Sequence, residues 1–387
     1  MEPLRLANCV HALPGQNTHK TVISGVFAII VLYRRASVAR NSTSILCTMS
    51  KMRIEGSFVA LITPFNQDGS VDFEGFRTLI RFHEDHGTSA MLFMGSTGEV
   101  SMLSPQERQK VIVETAKMKT GKSKFFYGCT GNNTATTIEY LKFAHANGAD
   151  GAILAAPAYI CASEADIEAY FLEVADATDL PLGIYNNPPR VKSDLHWDQL
   201  LRIFKHPNYV VHKESTTRVG QVAQVLAGRP DVAVMCCDSP NLGLVVPTMS
   251  LGGHGTANMT GNIAPAEMAL MSRPWATAAE PVSFRETYLR LLPMLHFSYS
   301  AINPVAIKSL MRAVGLPAGE LRRPLRGLEG EALLKGLRVV REFIPRGMDE
   351  PRVEFWAGLR PMTPDGPPIL GPTRWRGLFL NSGHGSN

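Results

Sequence analysis

Cysteine is scarce in this chain: only Cys9, Cys47, Cys129, Cys161, Cys236 and Cys237 occur, with no C-x-x-C pair and no histidine arranged as a zinc partner. That spacing argues against a disulfide framework or a bound metal, and it fits a reducing cytoplasm. The adjacent Cys236 and Cys237 lie in an apolar run and read as small core residues. No G-x-G-x-x-G opens a helical stretch, so an open doubly wound sheet lacks its usual dinucleotide signature. A long hydrophobic run is missing too. Val22 to Tyr33 is apolar apart from Ser24, but about a dozen residues is short for a membrane span. No basic stripe interleaved with aromatics is present, so neither a membrane nor a nucleic-acid partner is expected. The formal charge of +5 does not change this. Arg5, Lys20, Arg34, Arg35, Arg40, Lys51 and Arg53 oppose only Glu2, giving +6 up to Arg53 and −1 for the rest.

Residues 1–52 therefore read as a leader outside the fold. An over-extended start, with initiation near Met49 or Met52, is the expectation. The alternatives are a transit peptide, which would be Arg- and Ser-rich and poor in acids, and a signal or anchor segment.

From Ser57 onward short β-type runs alternate with amphipathic helical stretches, the pattern of parallel strands joined by helical crossovers. Eight strands are expected: Phe58 to Ile62, Ala90 to Met94, Lys124 to Tyr127, Gly151 to Ala155, Leu182 to Tyr185, Tyr209 to Lys213, Val232 to Cys236 and Gly255 to Met259. Their spacing predicts an α/β fold of the (β/α)8 TIM-barrel type over 53–264. Ser104-Pro105-Gln106-Glu107 reads as a helix-capping box, and Ser163-Glu164-Ala165-Asp166 as a version with a shorter acid. Gly95 to Glu99 and Ala156 to Ile160 then fall in loops on the catalytic face. A small helical region is expected over 265–345, from stretches at Pro265 to Ser272, Glu280 to Ser298, Pro304 to Val314 and Gly330 to Phe343. From Arg346 the texture turns to proline, glycine and arginine, so 346–387 reads as an irregular tail.

Three places carry chemistry. Lys213 ends the sixth strand run, at the end where barrel strands present active sites. A lysine among apolar walls loses its proton more readily and can attack a ketone; the alternative is a structural ion pair, with Glu214 as partner. His212, one step earlier, points to the opposite face and reads as a packed histidine. Tyr185 ends the preceding strand, next to Lys213, and could give and take protons during imine formation, or simply be core. Gly95-Ser96-Thr97-Gly98-Glu99 offers two hydroxyls and turn amides suited to a carboxylate, or is a plain turn.

Taken together with Tyr185-Asn186-Asn187-Pro188-Pro189-Arg190, Lys213-Glu214, Leu251-Gly252-Gly253-His254-Gly255 and Asn303-Pro304-Val305-Ala306-Ile307-Lys308, these runs resemble the dihydrodipicolinate synthase and N-acetylneuraminate lyase family over about Arg53 to Gly327. The resemblance implies a cofactor-free enzyme acting on a 2-keto acid, with Lys213 as the imine lysine and Tyr185 as the phenolic proton shuttle. It makes Ser96 the relay hydroxyl and Thr97 the cradle of the keto acid's carboxylate. Tyr159, in Pro157-Ala158-Tyr159, becomes a relay tyrosine inserted across a dimer interface, which implies a homodimer or homotetramer. Arg190 matches the arginine with which synthases hold a second carboxylate, and Ala257 replaces a larger residue near the lysine. Ser96-Thr97 stands where synthases carry Thr-Thr, and Ala158 replaces the first tyrosine of Pro-Tyr-Tyr. Pro105 and Thr137 stand where lysine-inhibited synthases carry a histidine and a glutamate.

A second resemblance lies in Trp356 to Gly366 and Leu380 to Gly385, which look like the C-terminal part of a flavin-dependent D-amino-acid dehydrogenase. With no dinucleotide fold upstream, the tail reads as a fused or misread neighbouring fragment. The expected function is a Schiff-base synthase that condenses pyruvate with an aldehyde such as aspartate semialdehyde. One alternative is a 1-pyrroline-4-hydroxy-2-carboxylate deaminase; another is a non-catalytic sensor or scaffold.

Overall fold

A computed structural model describes residues 51–343 and two short strands, Ile369–Pro372 and Phe379–Ser382. The leader reading, and most of the tail resemblance, lie outside the described residues.

Eight parallel strands close into a barrel in chain order. They are β1 (Gly56–Ala60), β2 (Ala90–Phe93), β3 (Lys124–Gly128), β4 (Gly151–Leu154), β5 (Leu182–Asn186), β6 (Tyr209–Glu214), β7 (Ala233–Cys236) and β8 (Gly255–Asn258). Helices α1 (Phe73–Asp85), α2 (Pro105–Ala116), α3 (Thr134–Ala146) and α4 (Glu164–Asp176) follow the first four strands, and a single turn, α5 (Pro188–Val191), follows β5. Then come α6 (Trp197–Ile203), α7 (Val219–Ala227) and α8 (Val245–Ser250), and after β8 α9 (Pro265–Met271), α10 (Glu280–Ser298), α11 (Val305–Ala313) and α12 (Gly330–Phe343).

The capping signals act as the sequence implies. Ser104 Oγ accepts the Glu107 N–H at 3.2 Å, and the Glu107 carboxylate accepts the Ser104 N–H at 2.8 Å. At α4 the shorter Asp166 instead takes the Ser163 hydroxyl at 2.5 Å, while Ser163 Oγ caps the Asp166 N–H.

Alternation along the strands sorts the core into two layers. Phe58, Ala60, Leu92, Phe126, Ile153, Val211, Met235 and Ala257 fill the barrel interior. Their neighbours Val59, Met91, Phe125, Tyr127, Leu154, Ile184 and Val234 pack outward in the larger core under the helices. Inward glycines make room for the large interior rings: a Cβ on Gly151 would lie 2.3 Å from the Phe126 ring. Phe126→Ala would leave a void in this layer and cost about 3–5 kcal/mol.

Three expectations need correction. The β6 ladder runs one residue further, so Lys213 is its penultimate residue and Glu214 its last. The first strand lies two residues earlier than expected, because the Ile62 N–H leaves the ladder for Asn262 Oδ1 at 3.0 Å. The tail is not irregular throughout: β9 (Ile369–Pro372) and β10 (Phe379–Ser382) pair antiparallel, with Ile369 opposite Ser382. Short apolar pairs on either side of a polar, Gly-containing connection can close a hairpin without the longer alternation by which strands are usually read.

Candidate active site

At the C-terminal ends of the strands lies a cavity of about 520 Å³. Its floor is formed by inward residues of β1, β2, β4, β5 and β6, among them Ala60, Leu92, Ile153, Tyr185 and Lys213. Gly95, Ser96, Ala156 and Ala158 from the loops after β2 and β4 form its walls, with Asn187 and Arg190 after β5 and Asn303 before α11.

Tyr185 and Lys213 are register partners on adjacent strands. The Lys213 side chain is buried, and its Nζ lies 4.4 Å from the centre of the Tyr185 ring. The ion pair with Glu214 does not form. Alternation turns Glu214 outward with His212, whose Nε2 sits 3.2 Å from Glu214 Oε2, both side chains being fully buried. Glu214 also accepts from the backbone N–H groups of Ser215 and Thr216, each at 3.0 Å, and from Gln221 Nε2 at 2.7 Å. Burial raises the Glu214 carboxyl, but the bonds from His212, Gln221 and Thr216 together outweigh it, so its pKa lies below the usual glutamate value. The carboxylate nearest Lys213 in sequence is thus fully engaged elsewhere, and the lysine alone faces the cavity.

The Tyr185 hydroxyl accepts a hydrogen bond from Asn187 Nδ2, an amide that residue spacing did not single out. Ser96 lines the cavity. Thr97 is buried beside it rather than in the wall, and its Oγ1 accepts from Asn303 Nδ2 at 3.0 Å. Asn303 Oδ1 is buried with no partner among the described residues. Arg190 is exposed at the mouth, where its Nη2 reaches the Asn303 carbonyl oxygen at 3.5 Å.

Two of the expected site residues are not brought to the cavity. Ala257 sits deeper in the barrel interior, in register with Phe58 of β1, so its small side chain serves packing there. Tyr159 is 96% exposed and lies outside the cavity wall, with φ of 75°. The neighbouring Ile160 is 56% exposed, which gives this loop an apolar tip.

Spacing also missed a buried pair behind the Ser96-Thr97 turn. Lys308 Nζ donates to Glu99 Oε1 at 2.5 Å and to the Thr63 carbonyl at 2.8 Å. The available signal was a lysine at a position of α11 surrounded by apolar neighbours, Ile307 and Leu310.

The family model described as the dihydrodipicolinate synthetase family matches residues 53–342. The chain belongs to this family. It is therefore an enzyme, a lyase of the Schiff-base type, and the sensor or scaffold reading falls away. Across 273 residues, 70% of this chain and 92% of the relative, it is 32% identical to a 4-hydroxy-tetrahydrodipicolinate synthase of Methanococcus maripaludis. The solved dihydrodipicolinate synthase of Aquifex aeolicus is 31% identical, with a TM-score of 0.70 over 75% of this chain and 98% of that one. That of Cyanidioschyzon merolae, solved with lysine bound, is 25% identical, with a TM-score of 0.72 over 77% of this chain and all of the other.

A second model, FAD dependent oxidoreductase, matches residues 320–387, in agreement with the resemblance of the tail to a flavoenzyme fragment. Among the described residues no helix opens on the G-x-G-x-x-G turn that supports a dinucleotide's pyrophosphate, so these residues do not fit a flavin. Among the described residues, no group of three or more His, Cys, Asp or Glu could hold a metal ion, and no helix is long and apolar enough to cross a membrane.

Proposed function

We propose that this enzyme condenses pyruvate with a carboxylated aldehyde such as aspartate semialdehyde, as a 4-hydroxy-tetrahydrodipicolinate synthase. The observation that carries this reading is the placement of Lys213 against Tyr185 inside a largely apolar cavity with Arg190 at its mouth.

The Lys213 amine attacks the ketone carbon of pyruvate to give a carbinolamine. The Tyr185 phenol, oriented by Asn187, gives a proton to the departing hydroxyl, and water leaves as the imine forms. The Tyr185 phenolate left by that transfer takes a methyl proton, which converts the imine to an enamine and restores the phenol. Its nucleophilic carbon attacks the aldehyde, and the phenol returns a proton to the new alkoxide. Ring closure by the aldehyde substrate's amine then displaces Lys213. Ser96 relays protons beside the phenol, Thr97 with the turn amides next to it holds the carboxylate of pyruvate, and Arg190 holds that of the aldehyde through paired hydrogen bonds.

Tyr159, exposed on its loop, completes the proton relay from a second copy of the chain, so the working form is a homodimer or homotetramer. The reading includes a cytoplasmic setting and no cofactor.

The test is borohydride reduction in the presence of pyruvate, followed by peptide mass mapping. The adduct is expected on Lys213, and an adduct on Lys308 instead would overturn the assignment.

The C-terminal match to an FAD dependent oxidoreductase model favours a second reading. A fused fragment can record a neighbouring gene, and a D-amino-acid dehydrogenase would supply a cyclic imino acid. The same Lys213 imine would then dehydrate and deaminate 1-pyrroline-4-hydroxy-2-carboxylate. Turnover of that compound, beside pyruvate plus aspartate semialdehyde, decides between the two.

A further inference from the structure

The turn that carries Ser96 and Thr97 is gripped from outside the barrel at two points by one segment. Asn303 holds Thr97 Oγ1 at 3.0 Å, and five residues later Lys308, 1% exposed, holds Glu99 Oε1 at 2.5 Å. The other Glu99 oxygen accepts the Arg322 backbone N–H at 2.9 Å. Phe65 lies under both cations, its ring centre 4.1 Å from Lys308 Nζ and 4.4 Å from the Arg322 guanidinium. Glu99 itself sits at φ 55°, a left-handed backbone that an L-residue adopts at a cost and keeps where its surroundings impose it. The preceding Gly98 carbonyl is fixed by Thr63 Oγ1 at 2.7 Å. A buried ion pair stabilises a fold little better than an apolar pair of the same volume, so stability alone does not account for this one.

We infer that Lys308 is a positioning residue for keto-acid binding: its charge, acting through Glu99, holds the Ser96-Thr97 turn in the shape that receives the substrate carboxylate. The inference rests on the proposed role of that turn and adds a control on it. When Lys308 loses its proton the tie to Glu99 weakens, and the turn relaxes.

The charged groups near Lys308 are Glu99 on the β2 side and Arg322 and Glu320 on the segment after α11. The β1 side brings only the uncharged Thr63 carbonyl and Phe65 ring. Burial lowers the Lys308 amine to about 8, with Glu99 offsetting part of that effect. Two opposite consequences follow. Between about 8 and the ordinary lysine value of about 10.4 the unfolded chain holds a proton that the folded chain has lost, so folding stability rises with pH. Over the same window the turn loses its anchor and keto-acid binding weakens.

The experiment measures kcat and KM for pyruvate and the thermal midpoint between about pH 6 and pH 10, together with amide exchange of residues 95–100. In the parent enzyme KM should rise about tenfold above pH 8, the equivalent of roughly one charge-assisted hydrogen bond. kcat should change less, while Lys308's own contribution to the midpoint moves upward. Lys308→Met should show the high KM and faster exchange of the turn already at neutral pH. Lys308→Arg, charged throughout, should abolish the alkaline rise. Should either fail to fold, Glu99→Gln keeps the shape and withdraws the negative charge, which should move the KM rise to lower pH. A parent KM flat to pH 10, or a rise unmoved by Glu99→Gln, overturns the inference. Those results would leave the Lys213 adduct with pyruvate intact, whereas absence of that adduct in the parent overturns the proposed function and this inference together.

Discussion

Tyr185 and Lys213 stand side by side on neighbouring strands, with the lysine nitrogen 4.4 Å from the centre of the phenol ring. This pairing follows from strand parity. Both residues fall on the inward set of their strands, and a parallel register with Tyr185 opposite Lys213 puts both at the end of the barrel that opens to the cavity. The first expected outcome concerns the phenol. Tyr185→Phe keeps the ring beside the amine and removes the proton carrier, so kcat should fall by about 10²- to 10⁴-fold, with a much smaller change in KM. Steady-state kinetics, with the rate of borohydride trapping on Lys213 measured alongside, check this; an unchanged kcat would make Tyr185 a packing residue.

Arg190 is expected to act on the second substrate alone. It sits exposed at the cavity mouth and makes no ion pair among the described residues. Arg190→Ala should weaken use of a carboxylated aldehyde by about 10- to 100-fold, the loss of roughly 1.5–3 kcal/mol of charged hydrogen bonding. The KM for pyruvate should hardly move. Equal effects on both substrates would show that the residue shapes the mouth rather than gripping a carboxylate.

Free lysine should not inhibit the enzyme in the sub-millimolar range, although the Cyanidioschyzon merolae relative is solved with lysine bound. Pro105 and Ala158 offer no side-chain hydrogen bond. Thr137 is buried and already engaged: its Oγ1 accepts the Gly131 N–H at 3.0 Å and meets the Tyr170 hydroxyl at 3.1 Å. Losing two charge-assisted contacts of about 1.5–3 kcal/mol each weakens binding by more than about a hundredfold. Activity measured against lysine up to high millimolar concentration decides this, and inhibition at low concentration would mean another site.

Acid should weaken the tie between α2 and the segment after α11. Arg322 hydrogen-bonds Glu107 and, with the Ser104 backbone, lowers its carboxyl to about 2 against the opposing effect of burial. The folded pKa lies below the unfolded one, so this stabilisation is complete above about pH 4.5 and is lost as pH falls toward about 2. The pair is partly exposed, so about 0.5–1 kcal/mol is expected after solvent screening. Arg322→Met should lower stability at neutral pH by about that amount and flatten this part of the acid limb in denaturant titrations.

Much of the barrel was legible because its signals are local. Each strand run, each capping serine and the inward parity of Tyr185 and Lys213 depend on residues a few positions apart, where side-chain period and backbone hydrogen bonding are set by covalent geometry. Parity alone also separated His212 from Lys213. The alternative left open there, an ion pair between Lys213 and Glu214, was settled only by the packed structure, in which α7 brings Gln221 to the Glu214 carboxylate. The same holds for the grip on the Ser96-Thr97 turn. Lys308 and Glu99 are 209 residues apart, and Asn303 and Thr97 are 206 apart. No periodicity spans such distances. Those contacts exist because closing the barrel folds the C-terminal helices back over the loop after β2, and because a charge buried there must find its partner or be costly. The exposure of Tyr159 belongs with them: a tyrosine in a short loop reads the same in sequence whether it packs inward or stands free, and only the path of the chain around it decides.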